Sequence, residues 1–173
     1  MNYFDRNLPS KDKLENCLGV FSKELENFYE SKSLKNDNFV RLHSSTLGRE
    51  ELMAFSRAFL EGNITLGKYN QEFEKLACDT FDSNFAITSN SGSSANLIAI
   101  SALIQSEMLK PGDKVIVPVL AWSTTVFPLV QYGLIPVYVD ISYDDFNLCK
   151  TAVEDCVREH DIKAIMLIHT YGN

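Results

Sequence analysis

Short β-rich runs alternate with helical patterns over the second half of the chain, and this alternation limits the possible folds more than any other feature. The runs are NFAIT, DKVIVP, IPVYVD and KAIMLI, and helical patterns lie between them at residues 93–105, 122–132 and 150–159. Such alternation is typical of βαβ units with parallel strands. Because the runs are nearly continuous in Val, Ile and Tyr, we expect an α/β fold whose mostly parallel sheet is buried on both faces.

Three helices are predicted before the first strand. Apolar residues recur at steps of three and four from residue 10 to about residue 30, then in GREELMAFSRAFLEGN and in YNQEFEKLACDTF. Gly62 and Asn63 tolerate the left-handed conformation in which helices commonly end, so the second helix should stop there. The polar stretch SKSLKNDNF has no such periodicity. We therefore predict a helical extension and linker at residues 1–40, and an α/β domain at residues 41–173.

Charge and composition exclude several classes of function. The net charge is −7 and the basic residues are scattered, which argues against binding to nucleic acid or to an anionic membrane. No apolar stretch approaches the ~20 residues of a membrane span, and the N-terminus has no apolar signal core, so a cytoplasmic protein is expected. Four cysteines without C-x-x-C spacing and three scattered histidines predict no metal site.

The segment ITSNSGSSANLIAISAL reads as a strand, a Gly/Ser-rich turn and a helix that begins near Ser93. Gly92 would let the backbone approach a ligand closely, while Ser93 and Ser94 offer hydroxyls and N–H groups at the positive end of the helix dipole. One phosphate monoester fits such a turn. On this segment alone, a serine N-cap beside a conformational glycine is the favoured interpretation, and the rest of the sequence must decide between the two.

Two familiar phosphate loops are absent from the sequence, since neither G-x-G-x-x-G nor G-x-x-x-x-G-K-[ST] occurs. After the next β run, VIVP, comes VLAWSTTVFP, which places the single tryptophan, Trp122, at the same edge of the predicted sheet as the Ser-rich turn. A flat aromatic ligand would stack on it there. A core or interface role for Trp122 is the alternative.

Four motifs in order, TSNSGSSANL, LKPGDKVIVP, GLIPVYVD and HTYGN, resemble the DegT/DnrJ/StrS family from about Gly48 to Asn173. The resemblance implies part of the large domain of the aspartate aminotransferase-like fold of pyridoxal-phosphate (PLP) enzymes. It implies PLP as the cofactor and a nucleotide-linked keto-sugar as the substrate, in the biosynthesis of cell-surface polysaccharide or a related glycan. Members of the superfamily are homodimers, so a homodimer is expected of the full-length protein.

The same resemblance assigns roles to individual residues. Ser93 and Ser94, after Gly92, match the phosphate-binding pair, and Trp122 matches the aromatic residue that covers one face of the pyridine ring. Thr65 and Gly67 match a T-x-G element near the active site and are expected to bind substrate. The family's ring-nitrogen Asp and cofactor-binding Lys follow the H-x-Y-G motif, so no catalytic residue is expected within these 173 residues, and the chain alone is expected to be inactive.

Three functions remain open on the sequence. The leading one is an aminotransferase that moves an amino group, from glutamate, onto the sugar. SGSSANL, WSTTV and GLIPV also resemble the branch of 3-dehydratases acting on a CDP-linked 4-keto-6-deoxyhexose, in which a His replaces the Lys. The third is a non-catalytic relative of the PLP fold. The residue at the Lys position distinguishes all three.

Overall fold

The computed structural model describes residues 10–31, 47–63 and 65–172. They divide into two compact units, Met1–Ile87 and Thr88–Asn173. The first contains the helices α1 (Lys11–Ser31), α2 (Arg49–Leu60) and α3 (Lys68–Phe81); the second contains α4 (Gly92–Gln105), β1 (Lys114–Pro118), α5 (Ser123–Gln131), β2 (Ile135–Val139), α6 (Lys150–Glu159) and β3 (Ile162–Ile165). The predicted α/β class with three leading helices is confirmed. The predicted boundary near residue 40 lies outside the described residues.

Helix α1 packs antiparallel on α2. Leu14 and Leu18, one turn apart on the apolar face of α1, are 9% and 2% exposed. Arg57 donates to both carboxylate oxygens of Glu15, at 2.6 and 3.0 Å, while Arg49 at the other end of α2 donates to Ser22. A bidentate Arg–carboxylate pair adds orientation to the apolar contact. The predicted amphipathic helix is thus confirmed, with α2 as the surface that covers it.

Helix α2 ends as the Gly62–Asn63 pair predicted. Gly62 has a φ of 74°, in the left-handed region that favours glycine. The N–H of Asn63 donates to the carbonyl of Ala58 at 2.9 Å, and the N–H of Gly62 donates to that of Phe59 at 3.0 Å. These two bonds form a Schellman motif and satisfy carbonyls that the helix end would leave unpaired. The start of the following loop is therefore fixed by backbone bonds.

Substituting Leu18 with alanine is expected to loosen α1. The change removes most of a buried side chain from a two-helix contact and should cost about 2 kcal/mol, which raises the population of detached α1 about 30-fold. Limited trypsin cleavage within α1 measures this opening. Val20, which is 61% exposed on the same helix, provides the control substitution to alanine. Equal cleavage of the two variants would mean that Leu18 does not hold α1.

The second unit is built on a parallel sheet in the order β2–β1–β3. Central strand β1 is buried over Val115–Pro118. The side chains of Val115 and Val117 enter one core with Leu129 of α5 and Ile100 of α4. Helices α4 and α5 thereby cover one face of β1, and the loops that follow all three parallel strands meet at one edge of the sheet.

Two expectations about the strands are wrong. The NFAIT run is not a strand: Phe85 and Ile87 are 89% and 77% exposed, and no strand among the described residues pairs with this run. A β segment needs such a neighbour to complete its backbone hydrogen bonds. Burial on both faces holds for β1 only, since Tyr138 of β2 and Ile165 of β3 are 57% and 48% exposed. These two strands form the edges of the described sheet.

No described helix combines the length and the apolar character that a bilayer crossing requires. Within the same residues, no group of three or more His, Cys, Asp and Glu side chains is arranged to hold a metal ion.

Candidate functional site: the amino end of α4

The Ser-rich turn forms the beginning of α4. Ser91 is the N-cap residue, and its Oγ accepts a hydrogen bond from the N–H of Ser94 at 3.2 Å. A helix leaves its first N–H groups without carbonyl partners, and this serine satisfies one of them. The predicted helix is confirmed, although it follows irregular chain and not a strand. The N-cap interpretation is also correct in part, with Ser91 in that role.

Gly92 is not needed for the conformation of this turn. It is not among the glycines with a positive φ, and a Cβ built on it would meet no atom within 4 Å. The interpretation as a conformational glycine is therefore wrong. The backbone at Gly92 is open to solvent, and the absence of a side chain leaves room for another molecule to approach it.

The first turn of α4 contains no acidic side chain that would neutralise the positive end of its dipole. Helix α2 differs: Glu50 and Glu51 lie in its first turn, and the Glu51 carboxylate accepts from the N–H of Gly48 at 2.7 Å. In α4, Ser93 is exposed and Ser94 is half-buried. Exposed N–H groups, hydroxyls and an uncompensated dipole suit a phosphate dianion, so the residues present fit the phosphate group of PLP.

Helix α5 lies beside this helix end. The side-chain amide of Asn96 in α4 donates to the carbonyl of Thr124 at 3.3 Å. Between the two helices lies an open cleft lined by Ser93, Ser94, Leu97, Thr124, Phe127, Pro128 and Gln131. Sequence patterns did not indicate Asn96, because its bond spans 28 residues. The structure thus brings the two predicted phosphate ligands to the first turn of α5.

Trp122 directly precedes α5 and acts as its N-cap residue, with its carbonyl accepting from the N–H of Thr125 at 2.9 Å. Its side chain is 83% exposed. A core role is therefore wrong for this tryptophan. So large an exposed apolar surface favours contact with a ligand or another protein surface. That Trp122 covers a cofactor ring stays a prediction.

Two further loops at the carboxyl edge of the sheet are joined by hydrogen bonds. After β3, the backbone N–H of Thr170 donates to the Asn147 side chain at 2.9 Å, and its hydroxyl donates to the Phe146 carbonyl at 3.1 Å. The rings of Phe146 and Tyr171 meet edge to face, with centroids 6.4 Å apart. The HTYG motif is thus held by the loop between β2 and α6, through partners that no local pattern revealed.

The predicted substrate residues belong to the first unit. Thr65 is exposed, and Gly67 is the N-cap residue of α3, with an extended backbone at φ −179°. A Cβ on Gly67 would make only ordinary contacts, at 3.8 Å or more. Neither strain nor crowding explains this glycine. Binding of substrate by Thr65 and Gly67 stays a prediction.

The chain is similar to curated proteins of sugar biosynthesis. It is 41% identical over 131 residues to the lipopolysaccharide biosynthesis protein RfbH of Salmonella typhimurium, covering 73% of this chain and 30% of that protein. It is 37% identical over 134 residues to the GDP-4-keto-6-deoxy-D-mannose 3-dehydratase of Escherichia coli O55:H7, covering 76% and 34%. The 3-oxo-glucose-6-phosphate:glutamate aminotransferase of Bacillus subtilis is 28% identical over 152 residues, with coverage of 86% and 33%.

A solved structure shares this fold. GDP-4-keto-6-deoxymannose-3-dehydratase, with a trapped PLP–glutamate geminal diamine, superposes with a TM-score of 0.63 at 38% identity, covering 68% of this chain and 31% of that one. The predicted PLP-enzyme fold and the family's cofactor are thereby confirmed. The chain spans about a third of the length of the curated relatives it matches. The model of the DegT/DnrJ/EryC1/StrS aminotransferase family matches residues 45–173, and the chain belongs to that family.

Proposed function

We propose that the protein is a PLP-dependent enzyme of nucleotide-linked keto-sugars and that it holds the cofactor phosphate at the amino end of α4. The N–H groups of Gly92 and Ser93, with the hydroxyls of Ser93 and Ser94, bind the phosphate. The observation that carries this proposal is the helix end itself, with open backbone at Gly92 and no acidic side chain in the first turn. Bound PLP supplies an electron sink for carbanionic chemistry.

Within this class we propose a 3-dehydratase of a nucleotide-linked 4-keto-6-deoxyhexose. The specific support is sequence identity: a 3-dehydratase relative is 37% identical to this chain, against 28% for the aminotransferase relative. The 41% identical relative is named for lipopolysaccharide biosynthesis, which favours a role in surface polysaccharide. The dehydratase is thus placed before the aminotransferase, whereas the sequence motifs alone favoured the aminotransferase.

The second candidate is the aminotransferase, which the matching family model supports. The two reactions differ in the composition of the sugar product. An aminotransferase places the amino nitrogen of its donor on the sugar, whereas a dehydratase removes a hydroxyl and leaves no nitrogen there.

The test supplies full-length protein with PLP, ¹⁵N-glutamate and nucleotide-linked 4-keto-6-deoxyhexoses. A sugar product without ¹⁵N and short of a hydroxyl supports the dehydratase, while a ¹⁵N-labelled sugar establishes the aminotransferase and refutes it. No reaction would favour a non-catalytic relative.

Replacing Trp122 with alanine is expected to weaken PLP binding about 10-fold, a loss of about 1.4 kcal/mol for a stacked ring. Folding should change little, because the side chain is 83% exposed and makes no N-cap hydrogen bond. A PLP titration of the full-length protein gives the affinity and is followed by the absorbance of the cofactor at wavelengths where tryptophan does not absorb. Thermal unfolding without PLP gives the stability. Phenylalanine at this position keeps a flat ring and should retain most of the affinity. Unchanged PLP affinity in the alanine variant would contradict the stacking role.

A further inference from the structure

One carboxylate links the two ends of the loop that joins α2 to α3. We call these linked ends, Glu61 on one side and Lys68 with Tyr69 on the other, the neck of the loop. Glu61 is the C-cap residue of α2, and its Oε2 accepts a hydrogen bond from Tyr69 Oη at 2.9 Å and lies 2.5 Å from Lys68 Nζ. Asn63 Nδ2 donates to the same oxygen at 3.3 Å. Oε1 lies 4.0 Å from Arg57 Nη1. A single side chain therefore ties the end of α2 to the first two residues of α3.

The shared acceptor of this cluster is more sheltered than its lysine partner, whose side chain is 50% exposed. The Glu61 side chain is only 20% exposed, and Lys68 Nζ lies 4.8 Å from the centroid of the Tyr69 ring. Charged hydrogen bonds that share one acceptor in a half-buried position hold geometry better than isolated exposed pairs do. The end of α2 is held in addition by the backbone bonds of its Schellman motif, so both sides of the neck are fixed.

The charges keep this neck closed across the neutral range of pH. The hydrogen bond from Lys68, followed by that from Tyr69, lowers the pKa of the Glu61 carboxyl, and the same carboxylate raises the pKa of Lys68. A lowered carboxyl pKa means that the stabilisation is present above the ordinary range of a glutamate and is lost as the pH falls through the folded pKa. Arg57, Asn63, Lys68 and Tyr69 contact Glu61, and the Glu15 carboxylate also acts on it electrostatically. The pKa values of Arg57, Lys68 and Tyr69 are raised, so none of these three groups loses its proton near neutral pH.

Two of the described residues in the loop beyond the neck are exposed to solvent. Thr65 is exposed and Leu66 is 82% exposed. Gly67, next to Lys68, has no steric reason to be glycine. The bonds of Glu61 hold the chain directly beside these exposed residues, which lowers the ordering cost when a ligand binds to them.

We propose that Glu61 is a positioning residue for the sugar substrate: by binding Lys68 and Tyr69 it sets the loop from which Thr65 and Gly67 contact the nucleotide-linked sugar. The inference rests on the proposed function and on the prediction that Thr65 and Gly67 bind the sugar substrate. Glu61 itself touches neither substrate nor cofactor. Loss of its charge therefore affects sugar binding and leaves PLP binding unchanged.

The test compares Glu61→Gln, Lys68→Met and their double variant in the full-length protein, with Glu72→Gln on the exposed surface of α3 as the control. Glutamine keeps an acceptor for Tyr69 and removes the charge pair. In Glu61→Gln and in Lys68→Met we expect amide hydrogen exchange at residues 62–67 to accelerate about 5-fold and the dissociation constant of the nucleotide sugar to rise about 10-fold, whereas the Glu72→Gln control should change neither. The double variant should lose little more than either single one, because both remove the same ion pair.

The PLP dissociation constant and the thermal unfolding midpoint should stay near those of the wild type in all four variants. Unchanged exchange at residues 62–67 in Glu61→Gln would overturn the inference, as would faster exchange with unchanged affinity for the sugar. If the wild-type protein binds PLP but no nucleotide sugar, the proposed function fails. If the wild type binds the sugar and Glu61→Gln binds it equally well, the positioning role alone fails.

Discussion

Replacing Gly92 with aspartate is expected to lower the affinity of the protein for PLP by about 100-fold or more. The new carboxylate would occupy the open space at the first residue of α4, where the proposed phosphate site lies, and would repel a phosphate dianion. Folding should not suffer. An acidic residue in the first turn complements the helix dipole, and the backbone at Gly92 does not have a positive φ. A PLP titration and thermal unfolding of the apoprotein measure the two effects separately.

Gly92→Ala is the matched control for this charge. The methyl group would meet no atom of the chain within 4 Å, and alanine in a helix is more favourable than glycine by about 0.5–1 kcal/mol. We expect a stable protein with a smaller loss of PLP affinity than in the aspartate variant. If the aspartate variant binds PLP as the wild type does, the phosphate is not held at this helix end.

Replacing Leu129 with alanine is expected to lower the free energy of unfolding by about 3 kcal/mol. Leu129 is 0% exposed and packs in the core beside Val115 and Val117 of the central strand. The substitution would leave a cavity where α5 meets the sheet. Urea denaturation provides the measurement, and Val130→Ala provides the control, since Val130 is 57% exposed on the same helix and should cost less than about 1 kcal/mol. Similar losses in both variants would show that the core is not centred on Leu129.

The helices and the central strand could be predicted from local sequence patterns, because the apolar residues that stabilise them recur at regular spacing along the chain. The apolar steps around Leu18 predicted α1, and the observed α6 has the bounds predicted for it, Lys150–Glu159. The NFAIT run at residues 84–88 was predicted wrongly for a physical reason. Their composition favours a strand, but a strand also needs a neighbour, and no local pattern supplies one.

The residues of the candidate site could be predicted from the sequence, whereas the hydrogen bonds that hold them in place mostly could not. Gly92, Ser93 and Ser94 stood out because a Gly/Ser-rich turn came before a helical pattern. Ser91 was missed as the N-cap, although a serine three residues before Ser94 is a recognisable capping signal. The bond from Asn96 to Thr124 links residues far apart in sequence and became visible only in the fold.

The contacts of Glu61 could not be predicted from the sequence either, although its partners lie closer along the chain. Its partners Lys68 and Tyr69 are seven and eight residues away, across a loop, and helical spacing rules do not reach over a loop. The pairing depends on the direction in which α3 leaves that loop. Only the structure reveals that one carboxylate holds both helices.

The most direct test of the account is a titration of ¹⁵N-labelled protein with PLP, followed through the backbone amide resonances. The account predicts that the amides of Gly92, Ser93 and Ser94 shift as PLP is added and saturate in parallel with the absorbance change of the cofactor. Inorganic phosphate at higher concentration should shift the same three resonances. Saturable PLP binding that leaves these amides unmoved would contradict the placement of the cofactor phosphate at the amino end of α4.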